Sequence, residues 1–203
     1  MKVSLVRHTS VELDGNFTCY GALDVEVNPT FEQEAKGAKE RIEGLQPDGV
    51  FTSPLQRAVK LATYCGYGHA ERDDRLREMN FGAWEGRSFN DVNAEHSDTM
   101  KRFYNDPEHA DIPESEPFPV FQKRVAGRVR EIVRAHQGKR IVIVSHGASI
   151  RILLADILAM PIRSIWHVSQ LNTAVNKIRF EDDGFAIVTL MNDTSHLCAG
   201  GVR

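Results

Sequence analysis

Two histidines and two arginines stand just behind short apolar runs. Arg7-His8-Thr9 follows Val3-Ser4-Leu5-Val6, and Ser145-His146-Gly147 follows Ile141-Val142-Ile143-Val144. Arg57 follows Val50-Phe51-Thr52 and the turn residues Ser53-Pro54. Arginine offers a planar fork that matches phosphate oxygens and stays charged at any working pH. An imidazole held neutral can act as a nucleophile, and nearby cations favour the neutral form. Phosphoryl transfer asks a protein mainly for positioning and charge neutralisation. An alkoxide leaving group also needs a proton donor. Glu78, beside Met79, Phe81 and Trp84, is the candidate. Any one of these residues alone reads as a surface ion-pair partner, a cap or a packing group. The argument rests on the set.

The set converges only if the elements behind it are arranged correctly. Lys2 to Val6, Gly49 to Thr52 and Ile141 to Val144 read as short strands, the last as one buried on both faces. Thr30-Phe-Glu-Gln33 is a capping-box pattern that opens a helix over Phe31 to Leu45. Ser53 reads as an N-cap with Pro54 at the first helical position, which places Arg57 in the first turn of a helix ending near Cys65-Gly66. Phe121 to His136 and Ala148 to Leu158 carry helical periodicity, and 174–180 and 185–191 read as a hairpin. Residues 10–28, 69–87 and 106–119 read as irregular, 88–105 as helical in pieces, and the stretch from Thr194 onward shows no pattern. Strands alternating with helices predict an α/β layer fold with a mostly parallel sheet, whose ligands bind at the carboxyl ends of the strands. There the three corners open on one edge, with helix N-termini behind them.

Composition narrows the alternatives. The 203 residues are 41% apolar and 26% charged, which suits a single globular domain spanning 1–203. A net charge of −3 gives no global reason to expect nucleic acid as a partner. The longest apolar stretch, Ile152 to Met160, is interrupted by Asp156 and is too short to span a membrane. Met1-Lys2-Val3-Ser4 runs straight into a strand, unlike a signal peptide. Cys19, Cys65 and Cys198 are odd in number and irregularly spaced, so a reducing, cytoplasmic setting is expected. No His-x-His, His-Glu-x-x-His or Cys-x-x-Cys spacing is present, so neither a metal nor another cofactor is expected. His69, His96, His109, His136, His167 and His196 read as surface or packing residues.

Four stretches carry a family resemblance: Leu5-Val-Arg-His-Thr9, Ser53-Pro-Leu-Gln-Arg57-Ala, Glu78-Met-Asn-Phe-Gly-Ala-Trp-Glu-Gly86 and Val144-Ser-His-Gly147. Together they resemble the histidine phosphatase superfamily, in its phosphoglycerate mutase-like branch, from residue 3 to about residue 192. The resemblance implies a three-layer sandwich, a mostly parallel central sheet with helices on both faces. It implies a small phosphorylated substrate and a phosphohistidine mechanism. His8 is then the nucleophile, and Glu78 is the proton donor and acceptor. Arg7, Arg57 and His146 hold the phosphoryl oxygens, with Gly147 and Thr9 as further phosphate contacts. Tyr20, Gly21 and Trp84 are candidate pocket residues, and 88–119 is a candidate insertion or lid over the strand tips. Within the superfamily the Glu78 stretch and Met160-Pro161…Ser164-Ile-Trp-His167 are most similar to α-ribazole phosphatases. Those enzymes remove the 5′-phosphate of α-ribazole phosphate in cobalamin nucleotide-loop assembly. A phosphoglycerate mutase-like enzyme, a broad sugar-phosphate or nucleotide phosphatase, and a non-catalytic phosphate-binding module are the alternatives. Two positions depart from the family pattern. Thr9 stands where glycine is usual, and Asp14 where an asparagine often binds phosphate. Asp14 is therefore not carried over, and Asn16, Thr18 or Thr9 are candidates to replace it.

Overall fold

The computed structural model describes residues 1–13 and 17–200, the last three of these by backbone alone. Six strands form one sheet: β1 (Lys2–Arg7), β2 (Gly49–Thr52), β3 (Glu71–Arg72), β4 (Arg140–Ser145), β5 (Val175–Phe180) and β6 (Ala186–Asp193). Their order is β3-β2-β4-β1-β5-β6. The first four are mutually parallel, while β5 and β6 are antiparallel additions at one edge. Side chains alternate between the two faces of a strand. Val6, Val142, Val144 and Val175 therefore pack against α1 (Phe31–Glu43) and α2 (Gln56–Tyr64) on one face. Val3, Leu5, Ile141, Ile143 and Ile178 face the opposite layer. That layer is built from α3 (Phe89–Glu95), α4 (Ser97–Asn105), α5 (Phe118–Ala135) and α6 (Gly147–Ile157). The architecture is a three-layer α/β sandwich.

The register sets the site. Arg7 pairs with Ser145 and Thr52 with Val144, so the carboxyl ends of β1, β4 and β2 lie side by side. The segment between β3 and α5 also builds core. Val92, Met100 and Phe103 are buried, and the Phe103 ring touches Phe81, Trp84, Phe118 and Trp166. The Trp166 indole donates to the Phe103 carbonyl at 2.8 Å. Truncating such a ring costs about 3–5 kcal/mol.

Several local expectations are corrected. The capping box does not form. Thr30 has ψ near 4°, not the extended geometry of an N-cap, and its hydroxyl donates to Glu34 Oε1 with Asn28 Oδ1 also within reach. Ser53 does not cap α2, which starts at Gln56 with Leu55 as the flanking residue. α5 starts at Phe118, inside a stretch that reads as loop. Pro119 is tolerated there because a first-turn N–H has no helical partner to lose. Ser195–Gly200 forms a 3-10 turn. Asp14 and Asn16, on which the missing phosphate donor was argued, lie outside the described residues.

Candidate active site

His8 follows directly after β1, where its N–H donates to the Ser145 carbonyl and its carbonyl accepts from Thr173. The side chain is buried. Its Nδ1 lies 2.5 Å from the Thr9 carbonyl oxygen. A carbonyl only accepts, so Nδ1 carries the proton and Nε2 keeps its lone pair. Burial first, then Arg57 and Arg7, hold the His8 pKa well below the usual histidine value. The ring is a neutral base with its reactive nitrogen defined.

His146 faces it, with ring centroids 5.1 Å apart and planes tilted by 57°. Arg57 Nε donates to His146 Nδ1 at 3.2 Å, so Nε2 carries the proton and points to Ser53 Oγ at 2.7 Å. The His146 pKa is also held well below the ordinary value, by burial first, then by Arg57 and His8. The same Ser53 hydroxyl accepts from the Leu55 N–H at 3.3 Å. Ser53 thus fixes an imidazole, where the sequence pattern suggested a helix cap.

Arg57 is fully buried, and burial pushes its pKa down while Glu78 pulls it back up. Its fork is held by backbone: Nη1 donates to the Leu23 carbonyl at 2.8 Å and Nη2 to the Gly21 carbonyl at 2.7 Å. Its guanidinium sits 5.4 Å from the centre of the Tyr20 ring, in cation–π range. Glu85 pins this loop by accepting from the Ala22, Leu23 and Phe81 N–H groups. Gly21 is required for packing. A Cβ there would lie 1.8 Å from the Met79 carbonyl oxygen.

Arg7 donates through Nη1 to the Gln170 carbonyl at 2.6 Å. Its Nε is buried without a hydrogen-bond partner among the described residues, as is Thr9 Oγ1. Buried donors are rarely left unmet, and these two, on the residues either side of His8 in the chain, suit an oxyanion ligand. Gly147 opens α6 against this guanidinium, and a Cβ there would lie 3.4 Å from Arg7 Nε and 3.3 Å from Arg151 Nη1. Arg151, whose Nε donates to the Val168 carbonyl at 2.7 Å, is a third cation beside Arg7 and was not foreseen.

Glu78 lies across the N-terminus of α6. Oε2 accepts from Ala148 N at 2.8 Å, and Oε1 accepts from Ser149 N at 2.9 Å and Ser149 Oγ at 3.0 Å. These are donors that a helix start leaves open. Arg124, on α5, holds the stretch that carries Glu78. It donates to the carbonyls of Arg75 and Arg77 at 3.0 and 3.1 Å, while its other arm binds Glu116. Ser145 Oγ binds the Leu76 carbonyl at 2.9 Å and ties the β4 tip to the same stretch.

His8, His146, Arg7, Arg57, Glu78, Gly147, Thr9 and Tyr20 therefore gather at one end of the sheet. Trp84 does not line the opening. It is 1% exposed and packs against Phe103, 5.5 Å between centroids, because the turn after Phe81 directs the indole into the core. Glu85, Gln170 and Arg124 act through backbone contacts and Ser53 through its hydroxyl on the His146 ring, each across a long stretch of sequence, and of these only Ser53 and Glu85 lie inside a motif.

A mostly parallel α/β sheet with two neutral imidazoles, a buried Arg57 and a half-buried Arg7 at its carboxyl edge suits an enzyme that handles phosphate esters. The chain belongs to the histidine phosphatase superfamily (branch 1), whose family model matches residues 3–193. It is a phosphoric monoester hydrolase. A phosphoglycerate mutase-like protein 4 from Arabidopsis thaliana is 30% identical, over 97% of this chain and 86% of that protein. A mutant phosphoserine phosphatase from Entamoeba histolytica, solved with phosphoserine, superposes with a TM-score of 0.87 at 26% identity, covering 97% of this chain and 98% of that one. An α-ribazole phosphatase from Shigella flexneri does so with a TM-score of 0.83 at 26% identity, covering 95% and 96%.

Proposed function

We propose that the protein hydrolyses a small phosphomonoester through a phosphohistidine at His8. The carrying observation is the Nδ1–H contact to the Thr9 carbonyl, which leaves the Nε2 lone pair free on a ring that faces His146 and feels the charges of Arg57 and Arg7. Nε2 attacks phosphorus and the bond to the ester oxygen breaks. Arg7 and Arg57 meet the phosphoryl oxygens, with the Thr9 hydroxyl and the Gly147 backbone as further donors, and His146 joins them by turning its Nε2–H from Ser53 to the phosphoryl group. Glu78 gives a proton to the departing alkoxide. It then takes one from the water that attacks the phosphohistidine, so inorganic phosphate leaves and both side chains return to their starting state. Oε2, with one protein donor at 2.8 Å, is the oxygen with room for that proton.

α-Ribazole 5′-phosphate is the leading substrate, supported by the Shigella flexneri structure and by the Glu78 and Met160–His167 stretches. A phosphorylated carboxylic acid such as phosphoserine is the second reading. Arg151 beside Arg7 favours it, since a third guanidinium suits a second anionic group. The cytoplasm is the proposed setting. Cys19 and Cys65 are buried free thiols whose pKa values burial pushes up to about 12. Comparing kcat/KM for α-ribazole 5′-phosphate, phosphoserine, 3-phosphoglycerate and p-nitrophenyl phosphate tests the substrate. A preference for phosphoserine that Arg151→Met abolishes selects the second reading, and net isomerisation of 3-phosphoglycerate without phosphate release overturns both.

A further inference from the structure

The end of the sheet remote from His8 carries an arrangement that catalysis does not use. Lys2 pairs across the sheet with Arg140 on one side and Arg179 on the other. Direct cross-strand partners share a face, so three cations stand in a row on neighbouring strands, about 5 Å apart. Two residues along β1, Ser4 pairs with Lys177 on that same face. α1 stops short of this row, with Gly44 at its end, and leaves a cavity of about 480 Å³. Lys2, Ser4, Lys177, Arg140 and Arg179 line it, with Leu45 and Pro47 on the helix side. The row is roughly 16 Å along β1 from Arg7.

Like charges directly opposite each other destabilise a sheet. The nearby carboxylates answer only part of this charge. Asp48 accepts from Arg140 N and Nε, Glu181 pairs with Arg179, and Asp193 is held by Arg41. Lys2 and Lys177 have no carboxylate partner among the described residues. Burial, then Arg41, lowers the Lys177 pKa, and Asp193 only partly opposes them. A neutral partner or a lone acid would not answer Lys2 and Lys177 together with the part-answered Arg140 and Arg179, whereas a compact multivalent anion would. The volume is within the range of small-ligand sites.

We propose that this cavity is a second binding site, for a small anion of linked phosphates held by Lys2, Lys177, Arg140 and Arg179. Phosphates sit over the strand ends, and Leu45 and Pro47 offer an apolar rim to any group attached to them.

Inorganic tripolyphosphate is the probe. It is titrated into the full chain at low salt while backbone amide resonances are followed by NMR. Saturable shifts are expected at Ser4, Val142, Lys177 and Thr189. The Lys2→Gln/Lys177→Gln double variant should weaken binding roughly tenfold or more, and Lys177→Arg should preserve it. Both variants should keep the wild-type kcat/KM measured without tripolyphosphate, since none of these residues approaches His8. Shifts confined to the surroundings of His8 and His146, or shifts at Ser4 and Lys177 that the double variant retains in full, overturn the proposal.

Discussion

Gly21→Ala separates the loop that holds Arg57 from the rest of the site. The new Cβ would lie 1.8 Å from the Met79 carbonyl oxygen, 2.8 Å from Phe81 Cδ2 and 2.9 Å from Glu85 Oε1, where real contacts stay above 3.0 Å. One of two backbones must therefore retreat by more than an ångström. Both belong to the site: Met79 adjoins Glu78, and the Gly21 carbonyl holds Arg57 Nη2 at 2.7 Å. Overpacking of this kind costs about 1–3 kcal/mol, and a protein of this length loses roughly 2–4 °C of Tm per kcal/mol. A shift of that size in a positioning group costs on the order of 100-fold in rate. The assay is kcat/KM on p-nitrophenyl phosphate beside a thermal melt. Gly127→Ala is the control, because it lies within α5 with nothing within 4 Å of the added Cβ. It should gain up to about 1 kcal/mol with activity unchanged. Gly21→Ala retaining kcat/KM within about threefold of wild type would refute the claim that this loop positions Arg57.

Other outcomes follow from the same geometry. Glu78→Gln should lower kcat/KM, which reports phosphoryl transfer to His8, by about 100-fold or more on alkyl phosphates and far less on p-nitrophenyl phosphate, whose leaving group needs no proton; equal losses of kcat/KM on both would remove Glu78 as the acid. Ser53→Ala should cost about 1–3 kcal/mol by orphaning the buried His146 Nε2–H, measured by urea unfolding, and Ser53→Thr should recover part of it. Acid should destabilise the fold. His8 and His146 stay neutral when native but take up protons once unfolded, so stability is lost as pH falls below the unfolded value of about 6.5. The loss is about 1.4 kcal/mol per pH unit for each ring while the native ring stays neutral. His8→Asn should flatten the slope measured between pH 7 and 5.

The site was legible where chemistry and chain direction coincide. Arg7-His8, Arg57 and Ser145-His146 each follow an apolar run of four or so residues, and a parallel sheet leaves them no other edge. Glu78 was readable only through its motif, because what holds it, the start of α6 and Arg124, lies far away in sequence. Ser53 looked like a cap because its spacing to Gln56 fits one. The structure instead uses its hydroxyl on an imidazole 93 positions away. Trp84 misled for the opposite reason. It sits within the Glu78 motif, but a tight turn separates motif membership from pocket membership. Tyr20 and Gly21 read from sequence as candidate pocket residues. Their backbone carbonyls serve Arg57, and nothing in residue type reveals which carbonyl an arginine will reach.

The central claim is covalent and can be tested by trapping. The enzyme is mixed with excess substrate, quenched in alkali within one turnover, digested, and searched by mass spectrometry for a peptide heavier by one phosphoryl group. The account predicts that group on His8, its absence in His8→Ala, and its accumulation in Glu78→Gln when the leaving group is p-nitrophenolate. Phosphate on any other residue, or wild-type turnover by His8→Ala, would contradict it.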